Sequence, residues 1–302
     1  MIASKDEVEN LSFIFISNNF LEIYDIINKN VSIYRIKVRI VKQLNTIKSN
    51  FKYSIHSVEN AFCLLEILAD AGLELGIAEF CRKTALPKGT VHRLLGTLKN
   101  LGYIEQNPQN RKYRFTIKIL KLGIAITDKI GLSQIIPYMK ELSQQFNETV
   151  NLAILDGDEI IYIYSVGSDN TLKLDLRIGS NQPAYCAAIG KVLLADLSEK
   201  ELDSYFQRIE LKPFTPYTIT DKDYLKKELK LIRHREYSFV NEEYMVGVAC
   251  VAVPLKDHQG KVCAGLSFSI PTVRINKEKL PPLIDSLLSI SKKITMPSFF
   301  KL

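Results

Sequence analysis

The sequence predicts an α+β protein built from two domains. Apolar residues recur at helical 3–4 spacing from Val58 to Leu98. From Thr149 onward, β-rich runs are joined by turn signals and interleaved with helices. The excess positive charge lies entirely before that switch. A length of 302 residues suits two domains. With 46% hydrophobic and 24% charged residues, the composition excludes a disordered or collagen-like chain.

The elements follow in order. Residues 1–56 form an extension without Gly or Pro, carrying eleven Ile and seven Asn in 1–57. Amphipathic helices are expected near 19–30 and 33–49, with disorder the alternative, and no function is assigned. The run Asn10–Leu21 is about half the roughly 20 residues of a membrane span. Asp6, Glu7 and Glu9 spoil the basic start of a signal peptide. No other stretch is apolar enough to cross a membrane, so no membrane partner is expected.

Val58, Ala61, Phe62, Leu65, Leu68 and Ala69 predict the inward stripe of a first helix, ended by Gly72 and Gly76. A short helix over 77–84 points Ile77, Phe80 and Cys81 inward. After the turn Ala85-Leu86-Pro87, a helix over 88–100 buries Val91, Leu94, Leu95 and Leu98, and Gly102 stops it. Strands at 103–105 and 112–115 flank a polar loop. Helix, helix, turn, helix and hairpin make a winged helix-turn-helix over 57–116.

A linker helix over 117–132 follows. The second domain, 133–302, opens with a helix over 134–146 capped by Ser133. Strands are predicted at 150–155 and 160–166, around Asp156-Gly157-Asp158, and at 172–178. Helices follow at 186–197, 199–207 and 221–235, the last opened by Thr220 and Asp221. Strands at 238–241, 248–255 and 262–270 and a helix near 281–295 complete an antiparallel or mixed sheet.

The net charge of +7 is local. Residues 1–57 hold 8 basic and 5 acidic residues, 58–135 hold 11 and 7, and 136–302 hold 21 of each. Between Arg82 and Lys121 ten basic residues face one acid, Glu105. That block is the footprint of a polyanion-binding surface. The second helix of such a motif enters the major groove with its N-terminal residues leading. Here these are Lys88, Thr90, His92 and Arg93, which lie off the buried stripe. Gly89 leaves room for close approach. Arg111, Lys112 and Arg114 on the wing are placed to meet phosphate. Solvated surface charge is the alternative reading for each.

The five cysteines are scattered and unpaired in sequence, which fits a reducing cytoplasm rather than a disulfide or zinc scaffold. No cofactor or metal is expected. A thiol enzyme built on Cys186 or Cys250 is a competing reading. It needs a base in reach, and only four histidines exist. No G-x-S-x-G, HExxH or phosphate loop occurs. An architectural DNA binder is a third reading, disfavoured by the neutral second half. Lys191 is expected at a helix surface.

Read as a hairpin with a tight loop at His258-Gln259, the strands 248–255 and 262–270 set Cys250 opposite Ser267 and Val248 opposite Ser269. These four share one face. Hydroxyls there suit a carboxylate, and the helix start near Cys186–Ala188 offers backbone N–H groups. A satisfied small-polar core is the alternative.

The stretch "IAEFCRKTALPKGTVHRLLGTLKNLGYIE", together with "YRFTIKILKLG", "ETVNLAIL", "AYCAAIGKVLLADL", "NEEYMVGVACVAVPL" and "GLSFSIP", resembles the IclR family of transcription regulators across 57–297. The resemblance implies a homodimer or homotetramer on a palindromic double-stranded operator. It also implies a GAF-like C-terminal domain binding a small organic or aromatic acid, with contacts at Cys250, Ser267 and Ser269; together with the hairpin face and the helix start, the expected effector residues are Ala187, Ala188, Asn241, Val248, Cys250, Ser267 and Ser269. Three positions depart from the family pattern. Gly89 replaces a usual Ser, Tyr185 a usual His, and Val240-Asn241 stands where Asp is common.

Overall fold

The computed structural model describes residues 54–127, 131–174 and 176–297. The helices expected within the N-terminal extension lie outside this range. The chain divides into two compact units after Gly123, inside the expected linker.

In the first unit, helices α1 (His56–Ala71), α2 (Ile77–Thr84) and α3 (Lys88–Asn100) precede strands β1 (Ile104–Gln106) and β2 (Tyr113–Phe115). Helix α1 ends where Gly72 turns left-handed at φ 71°. The Glu79 carboxylate accepts the Gly76 N–H at the start of α2 (2.9 Å). The core joins Leu64, Ile67 and Leu68 of α1 to Phe80, Val91, Leu95, Leu98, Ile104 and Tyr113.

The inward stripe of α1 therefore differs from the expected one. Val58 and Phe62 stay 50% and 60% exposed. This helix is apolar on two adjacent faces: Leu64, Ile67 and Leu68 are buried, Ala61 and Leu65 pack at the edge of the same core, and Val58 and Phe62 lie outside it. Spacing reports both faces without saying which one finds a partner. Strands β1 and β2 pair antiparallel, and Leu75 adds a bridge to Tyr113.

The second unit holds α4's last residues (the helix runs Lys118–Thr127) and α5 (Leu132–Phe146), then β3 (Thr149–Asp156), β4 (Glu159–Val166) and β5 (Asn181–Pro183). Next come α6 (Ala188–Asp196), α7 (Glu199–Arg208), α8 (Lys222–Arg235), β6 (Ser238–Asn241), β7 (Val248–Lys256), β8 (Val262–Pro271) and α9 (Leu280–Lys293). One antiparallel sheet runs β5-β4-β3-β8-β7-β6. Alternation along each strand splits the core in two. Val150, Leu152, Leu266, Phe268, Val251 and Val253 meet α5 and α9 on one face. Ala153, Tyr162 and Ala252 meet α6 on the other, which α7 and α8 back.

Helix α6 is seated by two glycines. A Cβ on Gly265 would come within 2.6 Å of Ile189 Cγ2, and one on Gly190 within 2.1 Å of the Ala184 carbonyl oxygen. Neither position tolerates a side chain without displacement of backbone or helix.

Several expectations shift. Helix α5 starts at Leu132 behind left-handed Gly131, so Ser133 caps nothing. A 3-10 turn, Ala184–Cys186, delays α6 to Ala188. Residues 172–174 and 176–178 form no strand. Their alternating leucines arise because Leu174 and Leu176 face a cavity, not from a ladder. The short edge strand β5, with its Pro and polar residues, carries no sequence signal. Asp221 does cap α8, accepting the Tyr224 N–H at 2.7 Å.

Candidate DNA interface and effector cavity

Helix α3 begins with an exposed basic tip. Lys88, His92 and Arg93 are exposed and Thr90 is half-buried, while Val91, Leu95 and Leu98 turn inward. Gly89 lies among them, and a Cβ at that position would meet no atom within 4 Å, so this end of the helix is open. The helix is held from behind: the buried Thr84 hydroxyl donates to the Phe80 carbonyl and accepts the Leu86 N–H. That fixes the turn into α3.

The wing is short and rigid. Glu74 accepts hydrogen bonds from the amides of Asn107 and Asn110. Asn107 and Asn110 in turn cap the N–H groups of Gln109 and Lys112. Arg111 occupies a left-handed position, φ 60°, and with Lys112 stays exposed. Arg114 differs: its guanidinium pairs with Glu105 (2.6 Å) and Glu74 (3.4 Å). Its charge is thus partly neutralised within the wing.

In the second unit a cavity of about 50 Å³ opens over the sheet face beneath α6. Ala187, Ala188, Val248, Cys250, Ser267 and Ser269 all line it. Asn241 does not. It pairs with Ala249, faces away from Cys250 and is exposed, while its neighbour Val240 lines the cavity. The β7–β8 register also differs from the expected one: Cys250 pairs with Ser269 and Val248 with Pro271. The turn is longer than a two-residue loop. Asp257 accepts the N–H groups of Gln259 and Lys261, and a bulge follows Leu255. The slip is of two residues, so the shared face survives.

A chain of hydrogen bonds leads along the sheet to the cavity-lining Ser269 and Cys250. Ser165 Oγ donates to Asn151 Oδ1 (2.8 Å), Asn151 Nδ2 donates to Ser269 Oγ (3.0 Å), and Ser269 Oγ meets Cys250 Sγ at 3.3 Å. Burial pushes the Cys250 thiol up to about 11, against the hydrogen bond from Ser269, which lowers it. The Ser267 hydroxyl, by contrast, has no hydrogen bond among the described residues. The N–H groups of Ala188 and Ile189 begin α6 at the same wall.

Sequence reasoning does not reach Asn151, which holds the lining residue Ser269. Nor does it reach the β4 contribution, for a physical reason. A bulge leaves Ile163 unpaired, since Leu152 pairs with Tyr164 and Ala153 with Tyr162. Tyr162 and Ser165 therefore share a face despite their odd spacing.

Lys191 is 1% exposed and forms an ion pair with the Glu243 carboxylate. It is not the surface lysine expected from its place on a helix. Glu243 leads into the loop carrying Tyr244 and Met245, both of which line the cavity.

A winged helix-turn-helix with an open basic tip, followed in the chain by a sheet domain with a small polar cavity, defines a class of protein that pairs a DNA-binding domain with a ligand-binding one. Residues 57–108 match the IclR helix-turn-helix domain, and residues 126–296 match the bacterial transcriptional regulator IclR C-terminal domain. The transcriptional regulator KdgR of Escherichia coli is 37% identical over 80% of this chain and 92% of its own length. The crystal structure of an IclR regulator from Alicyclobacillus acidocaldarius superposes with a TM-score of 0.72 at 26% identity, over 80% of this chain and 98% of its own. An IclR homolog from Microbacterium hydrocarbonoxydans, complexed with 4-hydroxybenzoate, shares the fold at a TM-score of 0.69 and 21% identity, over 78% of this chain and 96% of its own.

The chain belongs to the IclR family of transcriptional regulators. Its relatives are regulators, not enzymes. No helix among the described residues is long and apolar enough to cross a membrane.

Proposed function

We propose that the protein is an effector-controlled regulator that binds a palindromic operator as a homodimer or homotetramer. In this reading residues 57–116 contact DNA, 117–132 link, and 133–302 sense a small organic or aromatic acid. Lys88, Thr90, His92 and Arg93 meet base edges and phosphate in the major groove. Arg111 and Lys112 meet phosphate, with Arg114 held in reserve by its two carboxylate partners. The acid's carboxylate takes the N–H groups at the start of α6 and the Ser267 hydroxyl. Ala187, Ala188, Val248, Cys250 and Ser269 shape that subsite.

The observation that carries the effector reading is the pairing of one engaged hydroxyl, Ser269, with one free hydroxyl, Ser267, on the same buried floor. A satisfied polar core would engage both. Only an acid that binds the two conformations of the protein unequally changes operator occupancy.

Two measurements test this. Selection of bound genomic fragments yields the operator, and Lys88→Ala/Arg93→Ala abolishes binding to it with the fold intact. Thermal shifts with a panel of small acids, 4-hydroxybenzoate among them, identify ligands, and Ser267→Ala reduces those shifts. Undiminished operator binding by the double variant, or shifts untouched by Ser267→Ala, overturns the corresponding half.

A further inference from the structure

The effector cavity has a second polar end that the carboxylate subsite leaves unused. Tyr162 on β4 and Gln182 on β5 both line the cavity. The Tyr162 hydroxyl donates to Gln182 Oε1 at 2.8 Å. Burial holds that hydroxyl well above its usual range, so it remains a donor at neutral pH. With the carbonyl end of the carboxamide taken, Gln182 Nε2 keeps two N–H donors. It has no further hydrogen bond among the described residues.

The topology places this amide far from Ser267. Strand β5 is three positions from β8 in the sheet order. At about 4.8 Å per strand that is roughly 14 Å across the sheet, and the register adds an offset along it, since Gln182 is level with Leu155 of β3 and Ser267 with Asn151. The cavity also presents apolar surface, from Leu174, Leu176 and Met245. A ligand reaching both ends pairs an anionic head with an apolar middle and a neutral acceptor at its tail, and widens the cavity of about 50 Å³ as it enters.

We propose that Gln182, oriented by Tyr162, is a specificity-determining residue. It donates to a hydroxyl or carbonyl oxygen on the effector remote from the carboxylate. This rests on the carboxylate reading of Ser267 and the α6 start. An acid lacking the tail oxygen leaves the half-buried Gln182 amide facing it without a partner, a mismatch that disfavours that acid. Tyr162 is a positioning residue: its hydroxyl holds the carboxamide with nitrogen toward the ligand.

The test uses the full chain and a matched pair of probes, 6-hydroxyhexanoate and hexanoate, titrated by calorimetry. Wild type is expected to prefer the hydroxy acid by tenfold or more. Gln182→Leu is expected to erase that preference while leaving hexanoate affinity within about threefold. Tyr162→Phe is expected to reduce the preference without touching hexanoate, a split that a general loss of structure does not produce. Equal affinity of wild type for both acids overturns the proposal, as does a preference that survives Gln182→Leu. No binding of either acid to wild type overturns it as well. Ser267→Ala separates the two readings: if it weakens both acids alike while Gln182→Leu leaves their ratio unchanged, the carboxylate subsite stands and the Gln182 assignment fails.

Discussion

The Lys191 ammonium and the Glu243 carboxylate meet beside the loop whose Tyr244 and Met245 line the cavity, 1% and 8% exposed respectively. The second Glu243 oxygen lies 3.5 Å from the Ile219 N–H, and its backbone carbonyl accepts the Thr218 hydroxyl at 2.6 Å. Helix α6, whose first turn lines the cavity, is thereby tied to the loop that lines it through Tyr244 and Met245. Glu242, in a left-handed conformation at φ 60°, and Gly247, at φ 84°, bound that loop. The Glu242 carboxylate closes it by accepting the Gly247 N–H.

Breaking this pair from one side is expected to be costly. Lys191→Met leaves a buried carboxylate without its counter-ion, a change of about 3–5 kcal/mol by analogy with other buried pairs. Lys191→Met/Glu243→Leu removes both charges and is expected to recover at least half of the loss. Denaturant unfolding of the two variants checks the order. A double variant less stable than the single one contradicts the pairing as described.

Much of the architecture is legible in the sequence, and the failures have identifiable causes. The α3 stripe and the cap at Asp221 follow from local spacing and side-chain chemistry, and both stand. Lys191 reads as a surface residue because a lysine's burial depends on a carboxylate 52 residues away. Tyr162 and Ser165 share a face only because of a bulge at Ile163, which no alternation pattern records. The cavity residues Cys250, Ser267 and Ser269 emerge despite a wrong register, because an error of two residues preserves parity. Asn241 enters through resemblance alone. A single position along β6 separates it from Val240, and that position decides the face.

The two glycines that face opposite situations make a paired prediction. Gly190→Ala forces a Cβ against the Ala184 carbonyl and is expected to cost about 3 kcal/mol or more, at the upper end of overpacking effects. Gly89→Ser meets open space and is expected to raise stability by about 0.5 kcal/mol through helix propensity. It also adds a hydroxyl to the exposed tip of α3. Thermal unfolding reads both effects, and operator affinity, expected to rise for Gly89→Ser, reads the second.

Acid should loosen the second unit at a definite point. Burial raises the Glu148 carboxyl, but the Arg274 and Lys279 hydrogen bonds and charges outweigh it, so its range lies below the usual 4.5. Arg274 binds both its oxygens, at 2.8 and 2.6 Å, and Lys279 binds one at 2.7 Å. A carboxylate with a depressed native value contributes stability that is complete above the unfolded value and lost as pH falls through the native one. Urea midpoints are therefore expected to hold steady from pH 7 to about 5 and to fall below 4.5. Glu148→Gln is expected to start lower and to show a shallower fall. An unchanged slope in that variant assigns the acid sensitivity to other carboxylates.

The wing predicts a graded response to salt. Each phosphate neutralised by a lysine or arginine adds about 0.9 to the slope of log affinity against log salt on duplex DNA. Lys112→Ala removes an exposed cation and is expected to lower that slope by about one on the selected operator. Arg114→Ala is expected to change it less, because Glu105 and Glu74 already hold that guanidinium. It should instead loosen the wing, since Glu74 also anchors Asn107 and Asn110. Fluorescence anisotropy titrations between about 50 and 200 mM salt, a roughly four-fold range over which such slopes are resolved, distinguish the two. Equal slope changes for both variants would show that Arg114 leaves its carboxylates for phosphate when DNA is bound.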